Sequence, residues 1–400
     1  MGAIDHSALK LGNQLLILNV LREKGPMSRN QLKDETGLAW GTITAFVKEM
    51  LLMDLIVETG KSSSDLGRKP VGIDINTKAR FIVGVRLGGT YIKSTVLDLR
   101  GKVLCEKISN VNPDDKKEKI VDQILKTIDS ALRQQKVRNE RIAGIGFTAP
   151  GAIDTDNGVC LYAPRHPKWK DVPIKEILHE RYKAPCFVEH SNSSSALGEQ
   201  WFGAGKNISD FLCVPIGTGI SVGIIINGRI YRGYNGMAGE FGHTSIYPDG
   251  TKCICGRKGC LEEYASGRSL ARQGNEIADR KKADVVMTSK LLCEAAESGD
   301  KKARKIFETM GQHLGIGLAN LINILNPELI IISGGVSKAS QFFLPSLEKA
   351  LAGHAWDYSS RKIAISDLED PVLMGAASLV LREIYVNGLL LKEKNGEKYE

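Results

Sequence analysis

Residues 81–109 read FIVGVRLGGTYIKSTVLDLRGKVLCEKIS. Three short runs rich in apolar and β-branched residues, Phe81 to Leu87, Tyr91 to Asp98 and Lys102 to Ser109, are separated by Gly88-Gly89 and Arg100-Gly101. Glycines so placed turn a chain tightly, and the stretch predicts three consecutive strands. A charged helix, a strand at Ile142 to Thr148, a second helix and a strand at Cys186 to Glu189 follow. The same order then returns. Strands are expected at Phe211 to Ile216, Ser221 to Ile226 and Arg229 to Tyr231, the last two joined by Asn227-Gly228, and later at Leu329 to Ser333 and Lys362 to Ile365. Two halves with one pattern predict an α/β fold of duplicated lobes with a cleft between them.

The first 80 residues follow a different rule. Leu11, Leu15, Leu18 and Leu21 recur at helical spacing until Gly25-Pro26 ends the pattern. Ser28 is placed to cap a second helix, Arg29 to Thr36, which stops at Gly37, and a third runs from about Ala39 to Leu52. Leu55 to Glu58, a polar loop from Gly60 to Lys69, and Val71 to Ile75 read as a hairpin. Three helices followed by a hairpin with a basic tip are the winged helix-turn-helix arrangement, so the chain is expected to divide into residues 1–80 and 81–400. Residues 1–80 hold 11 Lys and Arg against 9 Asp and Glu, too even a balance to identify a DNA-binding domain by charge. Placement is more telling. Lys61, Arg68 and Lys69 all fall in the wing, where cations reach phosphates or a narrow minor groove. On the helices, Arg29, Trp40, Thr42, Thr44 and Lys48 are expected to face DNA. Two roles suit Trp40: stacking on a sugar or thymine methyl, or packing on the neighbouring domain.

The whole chain of 400 residues carries a net charge of +8, which permits nucleic-acid binding without requiring it. Apolar runs are short, far from the roughly 20 residues that span a bilayer, and Met1-Gly2-Ala3-Ile4-Asp5-His6 lacks the order of a signal peptide. A cytoplasmic protein without a membrane partner is expected, and there its eight cysteines stay reduced. Clustering among them then points to metal or catalysis. They do cluster, in Gly242-His243 and, nine residues on, Cys253-Ile254-Cys255-Gly256-Arg257-Lys258-Gly259-Cys260. One imidazole (His243) and three thiolates (Cys253, Cys255, Cys260) close a tetrahedral zinc site, with Gly256 and Gly259 letting the chain wrap the ion. With four protein ligands no vertex is left for a catalytic water, so the zinc is expected to be structural.

These motifs resemble the ROK family (repressor, open reading frame, kinase), in particular its repressor branch with an N-terminal winged helix, typified by xylose and N-acetylglucosamine repressors. The resemblance rests on Thr148-Ala149-Pro150-Gly151, Glu240-Phe241-Gly242-His243, the cysteine loop, and Gly259-Cys260-Leu261-Glu262 followed by Ser266-Gly267, and it runs from about Phe81 to Asn387. It implies the two-lobed actin and hexokinase fold, a duplicated ribonuclease H-like architecture. It also implies that Glu240, His243 and Glu262 hydrogen-bond sugar hydroxyls, with His190 at the same site. Kinases of the family carry Asp-x-Gly-Gly-Thr for nucleotide phosphate and magnesium, where this chain has Arg86-Leu87-Gly88-Gly89-Thr90. Their Glu-Asn-Asp motif supplies a general base, where this chain has Glu189-His190-Ser191. An arginine is no magnesium ligand and an unassisted serine no base near neutral pH. The glycines of Ile216-Gly217-Thr218-Gly219-Ile220 and Ser333-Gly334-Gly335 are then read as turn geometry rather than ATP binding. The resemblance thus implies a repressor that answers to a small sugar, binds a palindromic operator as a homodimer or homotetramer, and does not phosphorylate. The rival is an ATP-dependent sugar kinase with a regulatory DNA-binding domain.

Overall fold

A computed structural model of the chain describes residues 6–61, 71–277, 286–357 and 362–392. It divides into two compact units, one of residues 1–151, 155–189 and 376–400, the other of 152–154 and 190–375.

The first unit opens with α1 (His6–Lys24), α2 (Arg29–Thr36), α3 (Trp40–Leu52), β1 (Ile56–Lys61) and the antiparallel β2 (Val71–Ile75). Ser28 and Gln31 form a reciprocal capping box at the start of α2, satisfying two otherwise orphaned amides. Gly37 ends the helix at φ +69°, left-handed backbone that glycine adopts without strain. Ile17, Leu21, Leu32, Ile43, Val47, Met50, Ile56 and Ile73 are buried together, each worth about 1.5–3 kcal/mol of burial. The buried face of α1 is Gln14, Ile17, Leu18 and Leu21, with Leu11 and Leu15 half-buried beside it. Gln14 turns inward because its amide donates to Glu49 Oε2 of α3 at 2.8 Å. The predicted wing cations Arg68 and Lys69 lie outside the described residues.

This module is keyed to the rest of the unit at one aromatic residue. Tyr385 accepts from Asn19 Nδ2 through its backbone oxygen (2.8 Å), lies under the Arg22 guanidinium at 5.2 Å, and donates its hydroxyl to Leu99 O at 2.6 Å. Its ring is buried, which pushes the phenol pKa up. An Arg100–Asp74 ion pair adds a second tie, from the strand turn to β2.

Beyond the module the unit holds β3 (Phe81–Leu87), β4 (Tyr91–Asp98), β5 (Val103–Asn110), α4 (Lys117–Gln134), β6 (Ile142–Ala149), with β7 (Ala152–Asp154) assigned to the second unit, then β8 (Val159–Ala163), β9 (His166–Val172), α5 (Ile174–Tyr182) and β10 (Cys186–His190). The sheet order is β10-β6-β3-β4-β5, an antiparallel meander with β6 parallel to β3. The β8–β9 hairpin was not expected. Its buried residues His166, Trp169 and Val172 fall at every third position, so the alternation that marks a strand is absent.

The second unit repeats the plan with α6 (Ser191–Phe202), β11 (Phe211–Pro215), β12 (Gly223–Ile226), β13 (Arg229–Ile230), α7 (Glu262–Ala265), α8 (Gly267–Ile277), α9 (Ser289–Glu297), α10 (Lys301–Leu325), β14 (Leu329–Ser333), α11 (Ser340–His354) and β15 (Lys362–Ile365). Its sheet order is β13-β12-β11-β14-β15, again a meander with a parallel strand beside its first member. The duplicated-lobe pattern is therefore present, strand for strand. The chain re-enters the first unit within α12 (Pro371–Tyr385) and ends its described part in α13 (Leu389–Lys392).

Helix α12 packs on backbone. A Cβ at Gly146 of β6 would overlap the carbonyl of Ala376, and one at Gly84 of β3 would sit 3.1 Å from the Ala377 nitrogen. Gly146→Ala therefore has no room, and the strand or helix must shift. We expect a loss of about 1–3 kcal/mol, seen as a fall of roughly 2–4 °C in melting temperature per kcal/mol lost. An unchanged melting temperature would mean that α12 is not seated on β6 this closely.

Candidate functional site

The loop after β13 brings the four predicted metal ligands together. His243 sits in a short turn, Phe241–His243, and Cys253, Cys255 and Cys260 follow in a loop closed by backbone bonds from Cys253 N to Arg257 O (2.7 Å) and Gly259 N to Thr251 O (2.9 Å). Gly256 and Gly259 take φ +90° and +71°, which is the wrapping the sequence called for. One donor atom from each of His243, Cys253, Cys255 and Cys260 lies within 4.8 Å of the others. Cys253 Sγ is 3.7 Å from His243 Nδ1, and Cys255 Sγ is 3.6 Å from Cys260 Sγ. A tetrahedron with metal–ligand bonds of about 2.0–2.3 Å has edges of about 3.3–3.8 Å, so the set fits a four-coordinate metal ion. Burial raises the pKa of Cys253 and pushes that of Cys260 up to about 12, whereas a hydrogen bond from the Arg257 amide lowers that of Cys255. A bound cation would replace the protons that burial favours.

The loop is braced from outside by three mutually edge-on rings. Tyr247, Tyr264 and His313 stand 5.1–5.6 Å apart, and Tyr264 accepts from Thr251 N at 2.8 Å. His313 comes from α10, and burial keeps its imidazole below the usual pKa. Nothing in the sequence marks His313, because its partners are remote along the chain.

The expected sugar-binding residues all belong to the second unit. Glu240 is half exposed, with Oε2 4.0 Å from His243 Nε2, so the ring's second nitrogen lies on the carboxylate side while Nδ1 lies on the thiol side. His190 ends β10, and a Cβ at Gly236 would stand 3.8 Å from its Nε2, so the loop bearing Glu240 runs close to it. Glu262 is buried. Its Oε2 accepts from Ile220 N at 3.0 Å and its Oε1 meets Arg268 Nη2 at 3.0 Å, while the same guanidinium nitrogen holds Glu263 at 2.6 Å. Glu263 and Arg268 were not singled out from sequence, although the Glu262-Glu263 pair shortly before an arginine was a usable signal. A Cβ at Gly242 would come within 3.2 Å of Glu262 Oε2, so Glu262 packs against the residue that precedes His243.

The Gly88-Gly89 turn is ringed by cations. Arg86 and Lys93, paired in register across β3 and β4, lie 5.3 and 5.8 Å from the Tyr91 ring centre. Arg165 presses on Gly89, whose Cβ would stand 2.7 Å from its Cδ, and His166 Nε2 bonds Gly88 O at 2.7 Å. Ser191 begins α6.

Among the expected DNA contacts, Trp40, Thr44 and Lys48 are exposed, Thr42 is half buried, and Arg29 is ion-paired to Glu58 at 3.1 Å.

A model of the ROK family matches residues 82–383, and one described as winged helix-turn-helix DNA-binding matches residues 11–57. The chain belongs to the ROK family. It is 32% identical over 394 residues to the xylose repressor of Caldicellulosiruptor bescii, covering 95% of this chain and 98% of that one. It is likewise 32% identical over 398 residues to the transcriptional dual regulator NagC of Escherichia coli K12, covering 98% and 97%. Among solved structures, a ROK family transcriptional regulator homologous to the E. coli Mlc protein matches with a TM-score of 0.84 at 27% identity, over 97% of this chain and all of that one. The chain is a sugar-responsive transcriptional regulator of the repressor type, with the actin and hexokinase-like fold of its family. No helix among its described residues is long and apolar enough to cross a membrane.

The two carboxylates should part company on mutation. Glu262→Gln replaces a buried anion that meets both an amide and a guanidinium, and should cost about 1–3 kcal/mol of stability. Glu240→Gln, half in solvent, should cost none that urea unfolding can resolve. Equal losses would contradict the different burial of the pair.

Proposed function

We propose that the chain is a zinc-containing repressor whose kinase-like part binds a small sugar and has lost phosphoryl transfer. The observation that carries the loss is the cationic turn: Arg86, Lys93 and Arg165 gather where a kinase of the family places a carboxylate for magnesium. Ser191, where the general base belongs, supports the same reading. Residues 1–80 would act as the operator-binding part and residues 81–400 as the effector-binding and oligomerising part, in a cytoplasmic homodimer or homotetramer on a palindromic site. Lys61, Arg68 and Lys69 of the wing, with Lys48, would meet phosphates.

Zinc suits three thiolates and one imidazole, and it would supply no chemistry beyond holding the loop in shape. With zinc on Nδ1 of His243 beside the thiols, Nε2 would carry the ring proton and could donate it to a sugar hydroxyl. Glu240 beside it accepts from a neighbouring hydroxyl, and His190 and Glu262 complete the site. Effector binding would bias the protein between operator-competent and incompetent states, a coupling typically of about 1–3 kcal/mol.

Elemental analysis should find about one zinc per chain in protein prepared without chelators. Cys255→Ser should lower both zinc content and melting temperature, and protein free of zinc would remove the metal from this reading.

A thermal-shift screen against mono- and disaccharides tests the sensor, since a ligand at 100 times its Kd adds about 2.7 kcal/mol. With the stabilising sugar, ATP and magnesium, no phosphorylation above background is expected, and turnover near about one per second would restore the kinase reading. Glu240→Gln should then need ~10-fold more sugar for the same response while binding operator like the parent.

A further inference from the structure

Helix α3 buries Ile43, Val47 and Met50 and turns Gly41, Thr44, Ala45 and Lys48 outward, with Trp40 at its N-terminal end 49% exposed. Winged helix-turn-helix proteins lay this end of this helix against base edges in the major groove. Guanine and adenine are read there by side chains that hydrogen-bond in forks: Arg or Lys to guanine, Asn or Gln to adenine. The outward face of α3 has no Arg, Asn or Gln. Lys48 lies two turns from the N-terminal end, within the range of phosphates rather than bases, and Glu49 is tied to Gln14 and Lys10. What the first two turns offer is an indole, the Ala45 methyl and threonine side chains. The base feature that matches such groups is the C5 methyl of thymine.

Gly41 points the same way. It sits in the first turn of an exposed helix, where glycine is weaker than alanine. Its backbone is right-handed, and outside its own helix and chain neighbours no described atom lies within 4 Å of the place a Cβ would take. Neither backbone geometry nor packing within the chain requires it. A body pressed against α3 from outside does, since glycine lets a backbone approach most closely.

We propose that this chain reads its operator through close apposition of the α3 backbone at Gly41 and apolar contact of Trp40 and Ala45 with thymine methyls. The inference rests on the operator-binding reading, and one experiment separates the two. Full-length protein selects duplexes from a randomised library, and the selected duplex is remade with dU for dT one position at a time. Each contacted thymine should lose about fourfold in affinity when its methyl is removed, the value of one buried methyl-sized group. Trp40→Ala should abolish that sensitivity at one or more positions while leaving the salt dependence, a phosphate property, unchanged. Gly41→Ala should leave melting temperature equal or higher and weaken operator binding tenfold or more. Equal binding of the dT and dU duplexes, or parental affinity in Gly41→Ala, would overturn the inference while leaving operator binding intact. If the library yields no enriched duplex, the operator-binding reading falls and the inference with it.

Discussion

Close packing of backbone on backbone along α12 is the constraint on which much of the structure depends. A side chain at Gly146 would strike the Ala376 carbonyl, and one at Gly375 would strike that of Ser194. Gly198 meets Pro371 in the same way. The helix is thus seated in the first unit against β6 and in the second against α6, and its last residue, Tyr385, is the aromatic on which α1 is keyed. Within each unit such contacts permit little sliding, because interiors at native density have no spare volume to absorb it.

The second organising feature is the way one histidine faces two chemistries. His243 presents Nδ1 to Cys253 and Nε2 to Glu240, so the cysteine loop and the carboxylate side share a side chain. Under the proposed reading, rigid placement of that ring would matter more than its charge, since hydrogen-bond geometry to a sugar tolerates little displacement. The brace that His313 of α10 forms with Tyr247 and Tyr264, and the ion pairs of Arg268 with the buried Glu262 and Glu263, also stiffen this region. Two buried carboxylates on one guanidinium are costly to assemble and strongly destabilising to break, which makes Arg268 a structural member of the site.

The contrast between the Gly88-Gly89 turn and the outer face of α3 shows the same residue type used for unlike reasons. In the turn, Gly89 yields to Arg165 from within the chain. On α3, Gly41 faces open space. The first is explained by packing, whereas nothing packed within the chain explains the second.

Much of the fold was legible in residues close together along the chain. Capping at Ser28, the stop at Gly37, the meander around Gly88-Gly89 and the ligand spacing of the cysteine loop are local devices, and the strands and helices fall close to where their apolar periods put them. The β8–β9 hairpin was missed because its burial follows a period of three. The roles of Tyr385 and His313 could not be read from sequence at all. Each acts through partners brought near by folding, some of them hundreds of residues distant, and a single chain read in order carries the identities of such residues but not their distances.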